Sequence, residues 1–218
     1  MSNPLEEVWK RIFNPFDFKS IEGKMYRYVV LGTKHPLDSI ILRIGNSNQF
    51  IKLLKLGLKN YGYVGISIGW FINEILPYRI DRIFFDCERL QTAVNILIYL
   101  EKEYDLKPLI IYTGGKGYHL VYFVKFIRHV YPQLYYRLMK MRCEVWEYCR
   151  KTKSYGVDLY YGLGEITYHV VPYIFRTRPP RYGVGRESCI CDYEFHCLPP
   201  DKAIEYIDKA IKHCIKPT

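Results

Sequence analysis

An α+β fold of two layers is the class this sequence predicts, and three observations carry it. Short β-like runs alternate with amphipathic helical stretches, yet several of the runs follow one another in pairs, as hairpins do. A doubly wound parallel sheet needs a crossover after each strand, so paired runs favour α+β over α/β. Apolar residues make up 49% of the 218 positions against 25% charged, enough to bury a real core. No repeat, low-complexity tract or linker splits the chain, so one domain spanning 1–218 is expected.

Residues 5–13 carry a short helical apolar stripe that ends at the punctuation Asn14-Pro15. Residues 24–31 and 39–44 read as strands split by a turn-rich segment. A helix is predicted over 48–61, where apolar residues recur at helical spacing behind an Asn/Ser cap. Residues 63–70 return to strand, with glycines that imply a close backbone approach or a bulge. After Pro77 comes a strand over 80–88 that reads as apolar up to an acidic end, then a helix over 88–104. Residues 109–113 and 118–124 are strands flanking a glycine loop. A long helix over 131–151 has basic residues in its last turn, which suits the helix dipole. Short strands at 157–161 and 166–174, a Pro/Gly/Arg-rich loop and a helix over 200–215 complete the chain.

The balance of 32 Lys+Arg against 22 Asp+Glu gives a net charge of +10, which favours an anionic partner. Twenty-two tyrosines interleaved with that charge suit base stacking, although tyrosine also packs well in strands. No apolar run approaches the roughly 18–20 residues of a membrane span, and the N-terminus lacks a signal-peptide pattern, so a cytoplasmic location is expected. An odd count of seven cysteines argues against a secreted disulfide framework. Cys87, Cys143, Cys149 and Cys214 stand singly and read as small buried hydrophobes.

Three places carry chemistry. Asp86 and Glu88 sit at i and i+2 where a strand leaves the core; such carboxylates share a face about 6–7 Å apart and can flank hard divalent cations. They can equally be solvated acids beside a helix N-terminus. The loop Thr113, Gly114, Gly115, Lys116, Gly117 lets backbone N–H groups turn toward an anion, with Lys116 adding charge and His119 following within reach of a phosphate oxygen. The plainer reading is a hairpin turn with an ordinary half-buried histidine. Asp158 is a lone acid in an apolar and aromatic strand, where burial demands a partner. A metal shared with Asp86 and Glu88 would supply one; Glu165 competes for that role.

The order D-x-E on a strand, a helix, Thr-Gly-Gly-Lys-Gly-Tyr-His, a later helix and a strand with one aspartate resembles the archaeo-eukaryotic primase superfamily, over about residues 63–178. The resemblance implies a two-layer fold with an RRM-like catalytic half and template-directed nucleotidyl transfer, as in DNA primases and primase-polymerases. It implies that Asp86, Glu88 and Asp158 hold two Mg2+ or Mn2+ ions, and that His119, with Thr113 to Gly117, binds the triphosphate of the incoming nucleotide. Single-stranded or primed DNA and nucleoside triphosphates are the implied partners, with a helical accessory domain or a primase large subunit to complete initiation. A family element after the third acid begins Arg-x-Pro-Tyr; here it reads Val170-Val-Pro172-Tyr173, and Arg176 and Arg178 stand where the family has His and Lys. Those two arginines are taken as further nucleotide contacts.

Cys189, Cys191, His196 and Cys197, within an element at 186–198, match the donor inventory of a structural zinc site; free thiols or a disulfide are the alternatives. His196 and Cys197 are adjacent, which makes His213 or Cys214 an alternative fourth ligand. Three rival functions stay open: an end-joining or gap-filling polymerase of the same family, a non-catalytic nucleic-acid-binding replication subunit, and a metal-dependent phosphohydrolase.

Overall fold

The structure is a computed structural model that describes residues 3–18, 24–32, 39–56, 63–72, 77–115, 117–127, 132–158, 168–175 and 186–216. Helix α1 (Pro4–Phe13) starts where the Asn3 side chain accepts the Leu5 N–H and Pro4 fills the first turn. It buries Val8, Trp9, Ile12 and Phe13. Strands β1 (Arg27–Gly32), β2 (Ser39–Ile44), β3 (Tyr63–Ser67) and β9 (Tyr168–Val170) form a four-stranded antiparallel sheet in the order β2-β1-β3-β9. Helix α2 (Ser47–Lys55) begins in a reciprocal cap, with Gln49 N–H on Asn46 and Gly45 N–H on the Gln49 side chain.

The second sheet has the path β10-β6-β7-β5-β4: β10 (Cys189–Cys191), β6 (Leu109–Tyr112), β7 (Tyr118–Ile127), β5 (Arg79–Cys87) and β4 (Gly69–Trp70). The two-residue strand β8 (Val157–Asp158) also pairs with β5, at the end opposite to β4. The predicted strand over 63–70 is thus two strands, because the chain leaves the first sheet at Ser67 and enters the second at Gly69. The glycine there is required: a Cβ on Gly69 would lie 2.5 Å from the Arg79 carbonyl oxygen.

Alternation along β5 and β7 gives the second sheet two different faces. Helix α3 (Leu90–Tyr104) lies against β5 and β7. It also holds helix α4 (Pro132–Lys151), through Tyr99 stacked on Tyr148 at 4.4 Å and Tyr104 bonded to Glu144. Phe84, Asp86 and His119 share the other face, where Phe84 lies near His169 of the first sheet. Asp86 thus lies on the face turned toward the first sheet, at a strand end one-third open to solvent. Helix α5 (Pro200–Lys212) packs on α1 and on β6, β7 and β10. A continuous buried cluster runs from Val8 to Ala210 through both sheets.

The α+β class and the hairpin around the glycine loop are as expected, with β6 and β7 in register from Leu109↔Val121 to Tyr112↔Tyr118. Among the expected elements, residues 57–61 of the helix over 48–61, residue 131 of the helix over 131–151 and residues 159–161 and 166–167 of the two short strands fall outside the described residues. Strand β10 appears where a zinc-bearing element was read. β5 is not apolar up to its end: Asp81 and Arg82 lie in its interior, both fully buried. Of the four single cysteines, Cys87 and Cys149 are buried as expected, whereas Cys143 is exposed and Cys214 half-buried.

Candidate active site

Strand pairing builds one transverse row. Asp86 is opposite His119 of β7 on one side and Asp158 of β8 on the other, and the row continues through Ile111 to Ile190. Acids some 70 residues apart in sequence thus become neighbours because an edge strand of two residues docks at the end of β5. Glu88 follows directly, its N–H donating to the Gly156 carbonyl at 2.6 Å.

Two glycines let neighbouring backbone close on this acidic end. A Cβ on Gly117 would meet the Cys87 carbonyl oxygen at 2.7 Å, and one on Gly156, at φ +80°, would press on the Glu88 Cβ at 3.1 Å. Gly117 therefore brings the glycine loop against the acidic strand. Thr113 closes that loop, since its N–H and its hydroxyl both donate to the Gly117 carbonyl, at 3.1 and 3.0 Å. The threonine is buried and its hydroxyl is committed to this lock. Gly114, at φ +74°, presents its carbonyl to the Arg186 N–H at 2.9 Å, and the Tyr112 hydroxyl bonds the Gly115 carbonyl.

His119 is 6% exposed, with its ring 4.9 Å from that of Phe84. The Val170 N–H reaches its Nδ1 at 3.2 Å. A backbone N–H only donates, so Nδ1 is the lone-pair nitrogen and Nε2 carries the proton. That Nε2 lies 3.4 Å from Asp86 Oδ1, on a side chain one-third exposed. The site thus combines carboxylates from β5 and its flank, an imidazole donor, and a loop closed against them.

The carboxylates fit hard divalent cations by donor type, since oxygen ligands at a strand end half-open to solvent are what Mg2+ and Mn2+ take. Strand register brings Asp86, Asp158 and His119 together, with Glu88, Thr113 and Gly117 beside them. Lys116, Glu165, Arg176 and Arg178 lie outside the described residues. Cys189, Cys191 and Cys197 have their sulfurs within 4.8 Å of one another, with Cys189 joined to Cys197 as a disulfide and Cys191 Sγ 3.9 Å from Cys189 Sγ. His196 does not join them: it is 72% exposed and faces Asp192 and Glu194 at 3.5 and 3.7 Å. Its own N–H donates to the Asp192 carboxylate at 2.8 Å.

The sequence reading missed the polar core behind His119. Asp81 joins Arg27 and Arg82 and accepts from Trp70 Nε1 at 3.2 Å, and Arg82 reaches His169 at 2.8 Å. Burial lowers the pKa of both arginines, that of Arg82 to about 9, and Arg27 is lowered further by the charge of Arg82. Two adjacent charges inside an otherwise apolar strand were the available signal, because such charges need partners.

The sequence matches no protein-family model and no curated protein. Among solved structures, the chain is similar to the primase RepB′, with a TM-score of 0.51 and 9% identity over 96% of this chain and 62% of that one, so it spans under two thirds of RepB′. It also aligns with the AEP domain of the cyanophage S-2L primase-polymerase, at TM-score 0.47 and 10% identity over 84% and 89% of the two chains. A third alignment is with the polymerase domain of Mycobacterium tuberculosis Ligase D, at 0.43 and 13% over 85% and 69%. With two antiparallel sheets facing one another and a superposition that covers 96% of this chain, the chain has the fold of the primase RepB′, in keeping with the archaeo-eukaryotic primase fold that its motifs resemble.

Proposed function

We propose that the chain is a template-directed nucleotidyltransferase of the primase-polymerase kind, adding nucleotides to a DNA-paired strand with release of pyrophosphate. The observation that carries this reading is the transverse row His119–Asp86–Asp158 with the glycine loop closed on its edge. Asp86, Glu88 and Asp158 would hold two Mg2+ or Mn2+ ions, which when bound activate the attacking 3′-hydroxyl and neutralise the leaving pyrophosphate. His119 donates from Nε2 to a phosphate oxygen of the incoming nucleotide, and burial against Phe84 keeps its ring in place. The loop Gly114–Gly117 adds backbone donors and Lys116 a charge, with Arg176 and Arg178 as further contacts to the triphosphate. The net charge of +10 supports a nucleic-acid strand as the second substrate. No helix among the described residues is long and apolar enough to cross a membrane. A structural zinc ion at Cys189, Cys191 and Cys197 is part of the same proposal and requires the disulfide to be reduced.

The test is incorporation of a labelled nucleotide on a primed template with Mg2+ or Mn2+. Asp86→Asn and Glu88→Gln should each lower the rate by at least about a hundredfold while leaving the melting temperature within a few degrees. Full extension by either variant would remove the metal assignment. Nucleotide hydrolysis without template would instead make the protein a phosphohydrolase, and extension limited to gapped ends would make it a gap-filling polymerase. DNA binding by a protein inert in both assays would make it a replication scaffold.

A further inference from the structure

His119 is held from behind by groups that touch no substrate. His169 Nδ1 lies 2.9 Å from the Val170 carbonyl, which can only accept, so Nδ1 is protonated. Its Nε2 then offers a lone pair to Arg82 Nη1 at 2.8 Å, and a guanidinium can only donate. Arg82 is fixed in turn by Asp81, which also binds Arg27 and Trp70; all five side chains are essentially fully buried. Each donation has one direction: Arg82 gives to His169 and His169 to the Val170 carbonyl, while the preceding peptide gives the Val170 N–H to His119 Nδ1. The two histidines thus hold the two peptide planes that flank the Val170 Cα. The bond to Nδ1 leaves the Nε2 proton of His119 facing Asp86 Oδ1. Val170 is the last residue of β9, so its peptide groups are set by the sheet on one side and by His169 on the other.

The arrangement costs stability. Two buried guanidinium groups share one carboxylate, and Arg27 Nε and Arg82 Nη2 have no partner among the described residues. An apolar filling would pack this space without that penalty. What it would lack is the second anchor, on the Val170 carbonyl, that adds to the one the sheet provides.

We propose that His169, locked by Arg82, is a positioning residue for His119: acting through Val170, it fixes the tautomer and ring orientation that aim the Nε2–H of His119 at the phosphate-bearing substrate. This deepens the nucleotidyltransferase reading and rests on it for the word substrate alone. The tautomer of His119 is a property of the protein in the absence of nucleotide.

The experiment uses two readouts on the full chain. Nitrogen-15 imidazole spectra report which ring nitrogen of His119 is protonated, and steady-state kinetics report nucleotide KM and kcat separately. The wild type should show His119 protonated at Nε2, and His169→Leu should show a mixture of tautomers with KM raised about five- to tenfold and kcat changed less than twofold. His169→Asn keeps a donor for the Val170 carbonyl and should restore the tautomer and most of the KM. Should His169→Leu fail to fold, His169→Phe, which keeps the ring volume and lacks the donor, takes its place in both readouts. An Nδ1-protonated His119 in the wild type overturns the proposal, as does a folded His169→Leu protein with the tautomer and KM unchanged. A protein that shows the expected tautomers but extends no primer refutes the polymerase reading and leaves the positioning role standing.

Discussion

Gly117 shows how much of the site depends on one missing methyl group. A Cβ there would sit 2.7 Å from the Cys87 carbonyl oxygen and 3.4 Å from the Glu88 Cα, both backbone atoms that cannot turn aside. Gly117→Ala should therefore push the loop off the acidic strand end and destabilise the fold by about 1–3 kcal/mol in a urea titration. Gly45→Ala, whose Cβ meets nothing closer than 3.7 Å, is the control and should change the midpoint little. His169 makes a second prediction at this scale. Burial, then the charge of Arg82, puts its pKa well below the ordinary 6.5, against a smaller opposing pull from the Val170 carbonyl. The unfolded chain binds a proton near pH 6.5 that the folded chain refuses, so stability is full above that pH and falls below it. The slope from this one group is at most about 1.4 kcal/mol per pH unit. Melts of the wild type from pH 7.5 to 5.5 should show that fall, and His169→Asn should flatten it. A slope unaltered in the variant would assign the acid sensitivity to other groups.

Strand β10 is the element that ties the cysteine cluster to the glycine loop. Its Cys189 is opposite Tyr112, and just before it Arg186 donates to the Gly114 carbonyl. Ser188 bonds both Val171 and Ile174, so the segment after β9 is sewn to the same strand. Burial raises the Cys191 thiol to about 11, so a soft cation must displace its proton to bind there. Native mass spectrometry of protein kept in reductant should show one zinc per chain, lost in Cys191→Ser. Zinc-free protein with the mass of one disulfide would assign the cluster to the cystine between Cys189 and Cys197 instead. Legibility in the sequence divides along these elements. The hairpin around Thr113–His119 was readable because periodicity and glycines act locally, and so was the D-x-E strand end. What local pattern could not carry was pairing: that residues 63–70 change sheets at Ile68, that a strand forms at Cys189, or that β9 delivers a backbone N–H to a histidine 51 positions earlier. The departure at Val170 looked like a lost cation in the sequence. In the fold that residue contributes its peptide group, which no side-chain comparison detects.

At the scale of the whole molecule, the excess of ten positive charges needs a surface, and α4 carries five of the basic residues against two acids. Its outward side exposes Tyr136, Lys140, Trp146 and Arg150, with Trp146 53% accessible and the Arg150 guanidinium 5.4 Å from its ring; Glu147 lies on the same side. The chain then turns through Lys151 and Lys153 to an exposed Tyr155, next to the Gly156 that touches Glu88. Large aromatic faces among lysine and arginine, leading to the acidic row, match what an unpaired strand offers: bases to stack and phosphates to neutralise. The two contributions respond differently to salt. Stacking is nearly insensitive to it, whereas each neutralised phosphate of a single strand adds about 0.7 to the slope of log affinity against log salt. Trp146→Ala should thus weaken binding of a fluorescent single-stranded oligonucleotide roughly tenfold at every salt concentration, with the slope unchanged. Lys140→Gln should weaken it less and make the slope shallower by about 0.7. Anisotropy titrations from 50 to 300 mM salt, on the order used to resolve such slopes, separate the outcomes. Wild-type affinity in the tryptophan variant would mean that the strand follows another face, and an unaltered slope in the lysine variant would mean that Lys140 meets no phosphate.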